Sequence, residues 1–137
     1  MLDQQEKKFN VVIVEDGKEY TAIIKTAVII DGRFNLVHFE NGWDAFLNIK
    51  EREDIDLLIT DVNMEKMNGF EMVERLKKLS KLPPTIFLTG RANKEDIQRG
   101  FKLGALDYIL KPLTPLELLE RIQGIANAPW QYGKKEA

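Results

Sequence analysis

Three carboxylates, a hydroxyl and an ammonium stand at the ends of short apolar runs in this sequence. Val11-Val12-Ile13-Val14 leads into Glu15-Asp16, and Leu57-Leu58-Ile59-Thr60 leads into Asp61. Thr85-Ile86-Phe87-Leu88 leads into Thr89, and Tyr108-Ile109-Leu110 into Lys111-Pro112; only the run Phe34 to Phe39 ends without a reactive group. Acids crowded together raise one another's pKa, and a hard divalent cation removes that penalty. Mg2+ takes oxygen ligands, keeps several waters and often shares its sphere with a phosphate. Glu15, Asp16 and Asp61 are the candidate ligands, and a main-chain carbonyl just after Asp61 could add a fourth oxygen. Lys111 offers a point charge suited to a phosphoryl oxygen. Pro112 after it marks the one kind of peptide bond at which a cis form is common enough to aim a side chain. Thr89 supplies a hydroxyl, and Gly90 leaves room beside it.

Taken singly, each residue has an ordinary explanation. Glu15-Asp16 could be an acid pair favoured by a helix dipole, Asp61 a turn aspartate, Lys111 an exposed lysine and Thr89 a strand cap. Their joint occurrence at matching strand ends is what points to one site.

That site requires elements able to bring the ends together. Asp16 and Asp61 stand 45 residues apart, Asp61 and Thr89 28, and Thr89 and Lys111 22. The first gap accommodates two strand–helix units and the others one each, so the groups fall on the first, third, fourth and fifth strands. Short β-rich runs alternate with helical segments, which predicts βαβ units and a parallel sheet. Strands are expected at about 9–14, 34–39, 55–60, 85–88 and 107–110. In the order 2-1-3-4-5 the first and third strands are neighbours at the switch point, and ligands bind outside the carboxyl ends of the strands.

The first helix is expected over about 18–30, with Tyr20, Ile23, Ile24, Ala27 and Ile30 on one face and Asp31-Gly32 as its stop. The second carries Ala45, Phe46 and Ile49. The third runs from Gly69 with Phe70, Val73, Leu76 and Leu79, and the fourth, about 94–103, places Ile97 and Phe101 one turn apart. The last opens on Thr114, Pro115 and Glu117, a capping box with proline at the first helical position. Leu116, Leu119, Ile122 and Ala126 are its expected buried face.

Composition narrows the field. The 137 residues suit one domain. With no cysteine, disulfides, thiolate metal sites and thiol catalysis are excluded. No apolar stretch approaches the roughly 18 residues of a membrane span, and the polar start lacks the core of a secretory signal, so a cytoplasmic setting is expected. A net charge of −2 without a basic stripe does not provide the positive surface that nucleic acid needs. Residues 1–8 read as a polar lead, 9–127 as the domain, and 128–137 as a tail or the start of a linker.

The stretches VVIVED, LLITDVNMEKMNGFE, TIFLTG and GALDYILKPL resemble the receiver domain of two-component response regulators, over about 9–127. The resemblance implies a flavodoxin-like (βα)5 fold, a doubly wound five-stranded parallel sheet of order 2-1-3-4-5. It implies that Asp61 accepts a phosphoryl group and that Glu15 and Asp16 hold Mg2+, with Asp16 the direct ligand. Asn63 would add its main-chain carbonyl, Thr89 would contact the phosphoryl group, and Lys111 would be the lysine before proline. Tyr108 falls at the aromatic switch position, and Gly69 at the glycine that opens the third helix. Glu65 stands where the family usually has proline.

The implied partners are a sensor histidine kinase or a histidine phosphotransfer protein, and a downstream effector. No direct nucleic-acid or membrane binding is implied for this segment. A phosphorylation-dependent dimer through the fourth helix, fifth strand and fifth helix would use charged pairs. Asp107, Glu117 and Arg121 fit part of that pattern, but Ile97 and Leu106 occupy places where charges are expected. Such a domain takes part in phosphotransfer and self-dephosphorylation without being an enzyme in the usual sense, and Asn63 and Arg91 flank the route of attacking water. His38 is expected as a packed or surface histidine.

The competing reading is a receiver-like scaffold that works without phosphorylation. A haloacid-dehalogenase-type phosphatase would want an aspartate at Asn63. In a flavodoxin-like flavin binder, Glu15-Asp16 would repel the phosphate. The expected protein is a single-domain regulator or a receiver from a longer chain.

Overall fold

Runs of β-branched and aliphatic residues form five strands in a computed structural model that describes residues 8–127. In chain order the elements are β1 (Phe9–Val14), α1 (Lys18–Asp31), β2 (Phe34–Phe39), α2 (Gly42–Ile49), β3 (Leu57–Thr60), α3 (Gly69–Lys78), β4 (Thr85–Thr89), α4 (Lys94–Lys102), β5 (Asp107–Leu110) and α5 (Pro115–Ala126). All strand pairs are parallel, and the sheet order is β2-β1-β3-β4-β5. This is the doubly wound, flavodoxin-like (βα)5 architecture. The expected lead and tail fall, except for Lys8, outside the described residues.

Side chains alternate across each strand, and this alternation builds two cores. Val11, Ile13, Leu57, Ile59, Ile86, Leu88 and Ile109 face α1 and α5. Val12, Val14, Leu58, Phe87 and Tyr108 face α2, α3 and α4. Each fully buried aliphatic contributes about 1.5–3 kcal/mol over leaving it in water, so a slip of one residue in any central strand would exchange its two faces.

Register then delivers the strand ends to one edge. Val14 pairs with Thr60, so the residues just after them, Glu15 and Asp61, emerge side by side. Thr89 pairs with Leu110, which places Lys111 one step beyond Thr89.

The caps follow the local sequence. Asn41, Asn68, Asn93 and Thr114 each accept an N–H from the third residue of the helix that follows. Thr114 and Glu117 form the reciprocal box, and α1 stops at Gly32 with φ 83°.

Several expected burials are corrected. Leu116 is 62% exposed and Ile30 53%; Leu118 and Val28 are buried in their helices instead. At about 3.6 residues per turn, Leu116 and Ile30 sit off the centre of the stripes that the other buried residues define. Leu79 is the C-cap of α3 rather than part of its buried face, and it is exposed. Phe101 is also exposed, with its ring 6.5 Å from that of Tyr108 at the edge of the second core.

Candidate functional site

Asp61 leaves β3 with its backbone N–H bonded to the Val14 carbonyl at 3.0 Å, and its side chain is almost wholly buried. Its Oδ1 accepts the Val62 N–H at 2.6 Å and the more distant Asn63 N–H at 3.4 Å. Its Oδ2 accepts from Lys111 Nζ at 3.0 Å. The loop after it turns back through a bond from the Gly69 N–H to the Val62 carbonyl at 2.8 Å. A Cβ on Gly69 would lie 2.1 Å from the Asp61 carbonyl oxygen, so only glycine lets α3 start this close to Asp61. Where the family usually has proline, the Glu65 main-chain carbonyl accepts the Met67 N–H at 2.7 Å; Lys66 sits at φ 70° and Met67 is buried in the second core.

Glu15 continues β1 and is buried. It accepts from Lys111 through Oε1 at 3.1 Å and Oε2 at 3.3 Å, and Oε2 also accepts the Gly17 N–H at 3.1 Å. Asp16 is exposed. Glu15, Asp16 and Asp61 each bring one oxygen within 4.8 Å of the others. This all-oxygen, three-carboxylate set suits a hard divalent cation.

Burial pushes the Glu15 carboxyl above its ordinary value, Lys111 pulls it down and the charge of Asp61 adds to the rise. Burial works against the charge of Lys111, yet its ammonium is held above the ordinary value because Asp61 and Glu15 together outweigh that cost. The Lys111–Pro112 peptide is cis.

Thr89 is fully buried at the end of β4, and its hydroxyl accepts the Arg91 N–H at 3.2 Å. Tyr108 is turned inward: it is 8% exposed, its ring lies 5.9 Å from that of Phe87, and its hydroxyl donates to the Arg91 carbonyl at 2.9 Å. A Cβ on Gly100 would come within 2.7 Å of the Tyr108 ring, so α4 makes room for it. Burial pushes the Tyr108 phenol up.

Sequence reasoning placed Arg91 beside the site but missed its contacts. Arg91 Nη1 donates to Asn63 Oδ1 at 2.9 Å, two residues past Asp61, and Nε donates to Asp96 Oδ2 at 2.7 Å. Asp96 in turn exchanges bonds with Asn93, the N-cap of α4; hydrogen bonding to Arg91 holds its carboxyl below the ordinary value. The spacing Asn93-x-x-Asp96 signalled the cap of α4 that holds Asp96, but not the reach of Arg91 to Asn63. His38 is a packed histidine, its Nε2 2.9 Å from the Glu15 carbonyl oxygen.

Comparison with known proteins identifies the family and the fold. The response regulator receiver domain family matches residues 11–123. A chemotaxis protein CheY homolog of Campylobacter jejuni is 32% identical over 127 residues, which covers 91% of this chain and 98% of that protein. Transcriptional regulatory protein YvrH of Bacillus subtilis is 35% identical over 93% of this chain, but the match spans only 52% of YvrH. Among solved structures, a CheY-like response regulator receiver domain protein from Methanospirillum hungatei superposes with TM-score 0.80 at 27% identity, covering 96% of this chain and all of that one. The non-phosphorylated HemR receiver domain from Leptospira biflexa gives TM-score 0.79 at 28% identity over 88% of this chain and 96% of that one. With family match, relatives and fold in agreement, the chain belongs to the response regulator receiver domains of two-component signalling.

Proposed function

We propose that Asp61 accepts a phosphoryl group from a phosphohistidine carried by a sensor histidine kinase or a histidine phosphotransfer protein. The observation that carries this reading is the Asp61 carboxylate itself. It is held at Oδ1 by backbone N–H groups and at Oδ2 by Lys111, with two further acids beside it. One carboxylate oxygen forms the O–P bond as the donor's N–P bond breaks. The freed imidazole nitrogen keeps the electron pair and takes up a proton, and the product is an acyl phosphate.

The loose transition state of phosphoryl transfer asks for positioning and charge stabilisation more than covalent help. The N–H groups of Val62 and Asn63 orient the nucleophile, Lys111 supplies positive charge, and the Thr89 hydroxyl turns to donate to a phosphoryl oxygen. Mg2+ would be held by Glu15, Asp16, Asp61 and the main-chain carbonyl of Asn63. Bound there, it supplies charge neutralisation for the acids and the phosphoryl oxygens.

Signalling needs a two-state element, and the Arg91 segment supplies one. When Thr89 turns, it lets go of the Arg91 N–H, and the same residue's carbonyl holds the Tyr108 hydroxyl. The surface of α4, β5 and α5 then changes and is read by an effector. A switch from 1:99 to 99:1 needs about 5.5 kcal/mol of differential interaction, within reach of a doubly charged group meeting Lys111 and a metal. Dimerisation through this face would have to compete with the ion pair that Asp107 and Arg121 already make within the chain. Self-dephosphorylation would follow from water attack past Asn63 and Arg91.

Incubation with acetyl phosphate and Mg2+ followed by intact-mass measurement tests the reading. One phosphoryl adduct that disappears in Asp61→Ala is expected; no adduct, or one that survives the substitution, sinks it.

A further inference from the structure

We infer that Tyr20 is a positioning residue for Lys111, its ring face steering the ammonium toward the phosphoryl site; this rests on the phospho-acceptor reading of Asp61. Lys111 Nζ lies 4.3 Å from the centroid of the Tyr20 ring. The ammonium has three N–H groups, and its surroundings comprise three partners: the Glu15 carboxylate, the Asp61 carboxylate and this ring. The Lys111 side chain is only 16% exposed, so the ring stands where water would otherwise sit.

The placement of Tyr20 is itself tied to the site. Tyr20 is the third residue of α1. The helix start is fixed by the Gly17 N–H on Glu15 Oε2 and by the Thr21 N–H on the Gly17 carbonyl at 3.0 Å. Glu15 therefore holds both Lys111 and the helix that carries the ring over Lys111, and the loop of contacts closes.

An aromatic face suits this task for a physical reason. Lysine carries its charge on a flexible four-carbon stem, and phosphorylation of Asp61 alters one of its two carboxylate partners at the moment the charge must shift. A third carboxylate would trap the ammonium, and an aliphatic side chain would exclude water without attracting it. The ring attracts the cation through its quadrupole and does not take a proton, so Lys111 stays in place while its acceptor changes from Asp61 to a phosphoryl oxygen.

The test compares wild type, Tyr20→Phe and Tyr20→Leu. Phosphoryl uptake from acetyl phosphate is followed by intact mass at saturating Mg2+, Mg2+ affinity by calorimetry, and the Lys111 ε-methylene protons by NMR. Tyr20→Leu is expected to react about 3- to 30-fold more slowly with unchanged Mg2+ affinity. It should also lose the upfield ring-current shift of the ε-methylene protons. Tyr20→Phe is expected to restore both the rate and the shift. Tyr20→Leu reacting at the wild-type rate overturns the proposal, as does Tyr20→Phe reacting as slowly as Tyr20→Leu, or Mg2+ affinity falling in step with the rate. Absence of uptake by the wild type is a distinct result: it removes the Asp61 reading and, with it, this role for Tyr20.

Discussion

The Tyr108 hydroxyl is bonded to the carbonyl of Arg91 at 2.9 Å, while the N–H of the same Arg91 is bonded to the Thr89 hydroxyl at 3.2 Å. One residue thus joins the end of β4 to the ring carried by β5. Tyr108→Phe keeps the ring and removes the bond. A loss of about 0.5–1.5 kcal/mol is expected in urea unfolding, the net contribution of one hydrogen bond. Amide exchange at Arg91 should speed up as well; wild-type exchange there would separate the ring from the loop.

The Arg91 side chain bonds Asn63, two residues past Asp61, and is anchored by Asp96. Arg91→Ala is expected to open a path for water and shorten the lifetime of the phosphoryl group on Asp61. The decay of the mass adduct after removal of acetyl phosphate measures this. An unchanged half-life would show that the strap does not guard the bond.

Lys111 pairs with two buried carboxylates. Lys111→Met is expected to lower the rate of phosphoryl uptake by about 10²–10³-fold, the usual cost of one lost charge-stabilising donor. Single-turnover uptake at saturating Mg2+ reads this directly, and a loss smaller than tenfold would assign the charge stabilisation elsewhere.

Gly69 meets the backbone of Asp61 and not a movable side chain. Gly69→Ala is expected to destabilise the fold by about 1–3 kcal/mol or more, because overpacking against backbone cannot be relieved by a rotamer. Thermal melting checks it; a melting temperature equal to that of the wild type would mean that α3 retreats freely.

Away from the site, Asp31 is gripped by both Arg33 Nε at 2.6 Å and Nη2 at 2.9 Å, and by Gln123 Nε2 at 2.7 Å. Hydrogen bonding to Arg33 holds its carboxyl far below the ordinary value of 3.8. The folded state therefore binds fewer protons at Asp31 than the unfolded state does. The stabilisation is complete above the unfolded value and drains away as pH falls below it toward the folded one. In pH-dependent urea unfolding, wild type should lose stability more steeply than Asp31→Asn between about pH 4 and pH 2. Parallel curves would remove Asp31 from the acid response.

Much of the framework was legible in the sequence because it depends on neighbours in the chain. The capping box at Thr114, Pro115 and Glu117, the stop at Gly32 and the β-rich runs are local signals, and the structure has them where they were expected. Helix faces were read less well. Ile30 and Leu116 are apolar but stand off the stripes centred on Val28 and Leu118, and Leu79 caps its helix, so all three are exposed.

The sequence alone determined which chemical groups stand at the strand ends: Glu15 and Asp16, Asp61, Thr89 and Lys111. Only the tertiary structure decided how they meet. Parallel register sets Glu15 beside Asp61, and Lys111 bridges both. Tyr20 over the ammonium and Arg91 on Asn63 arise from contacts between segments far apart in the chain. No local pattern encodes such contacts, because they exist only after the helices have packed on the sheet.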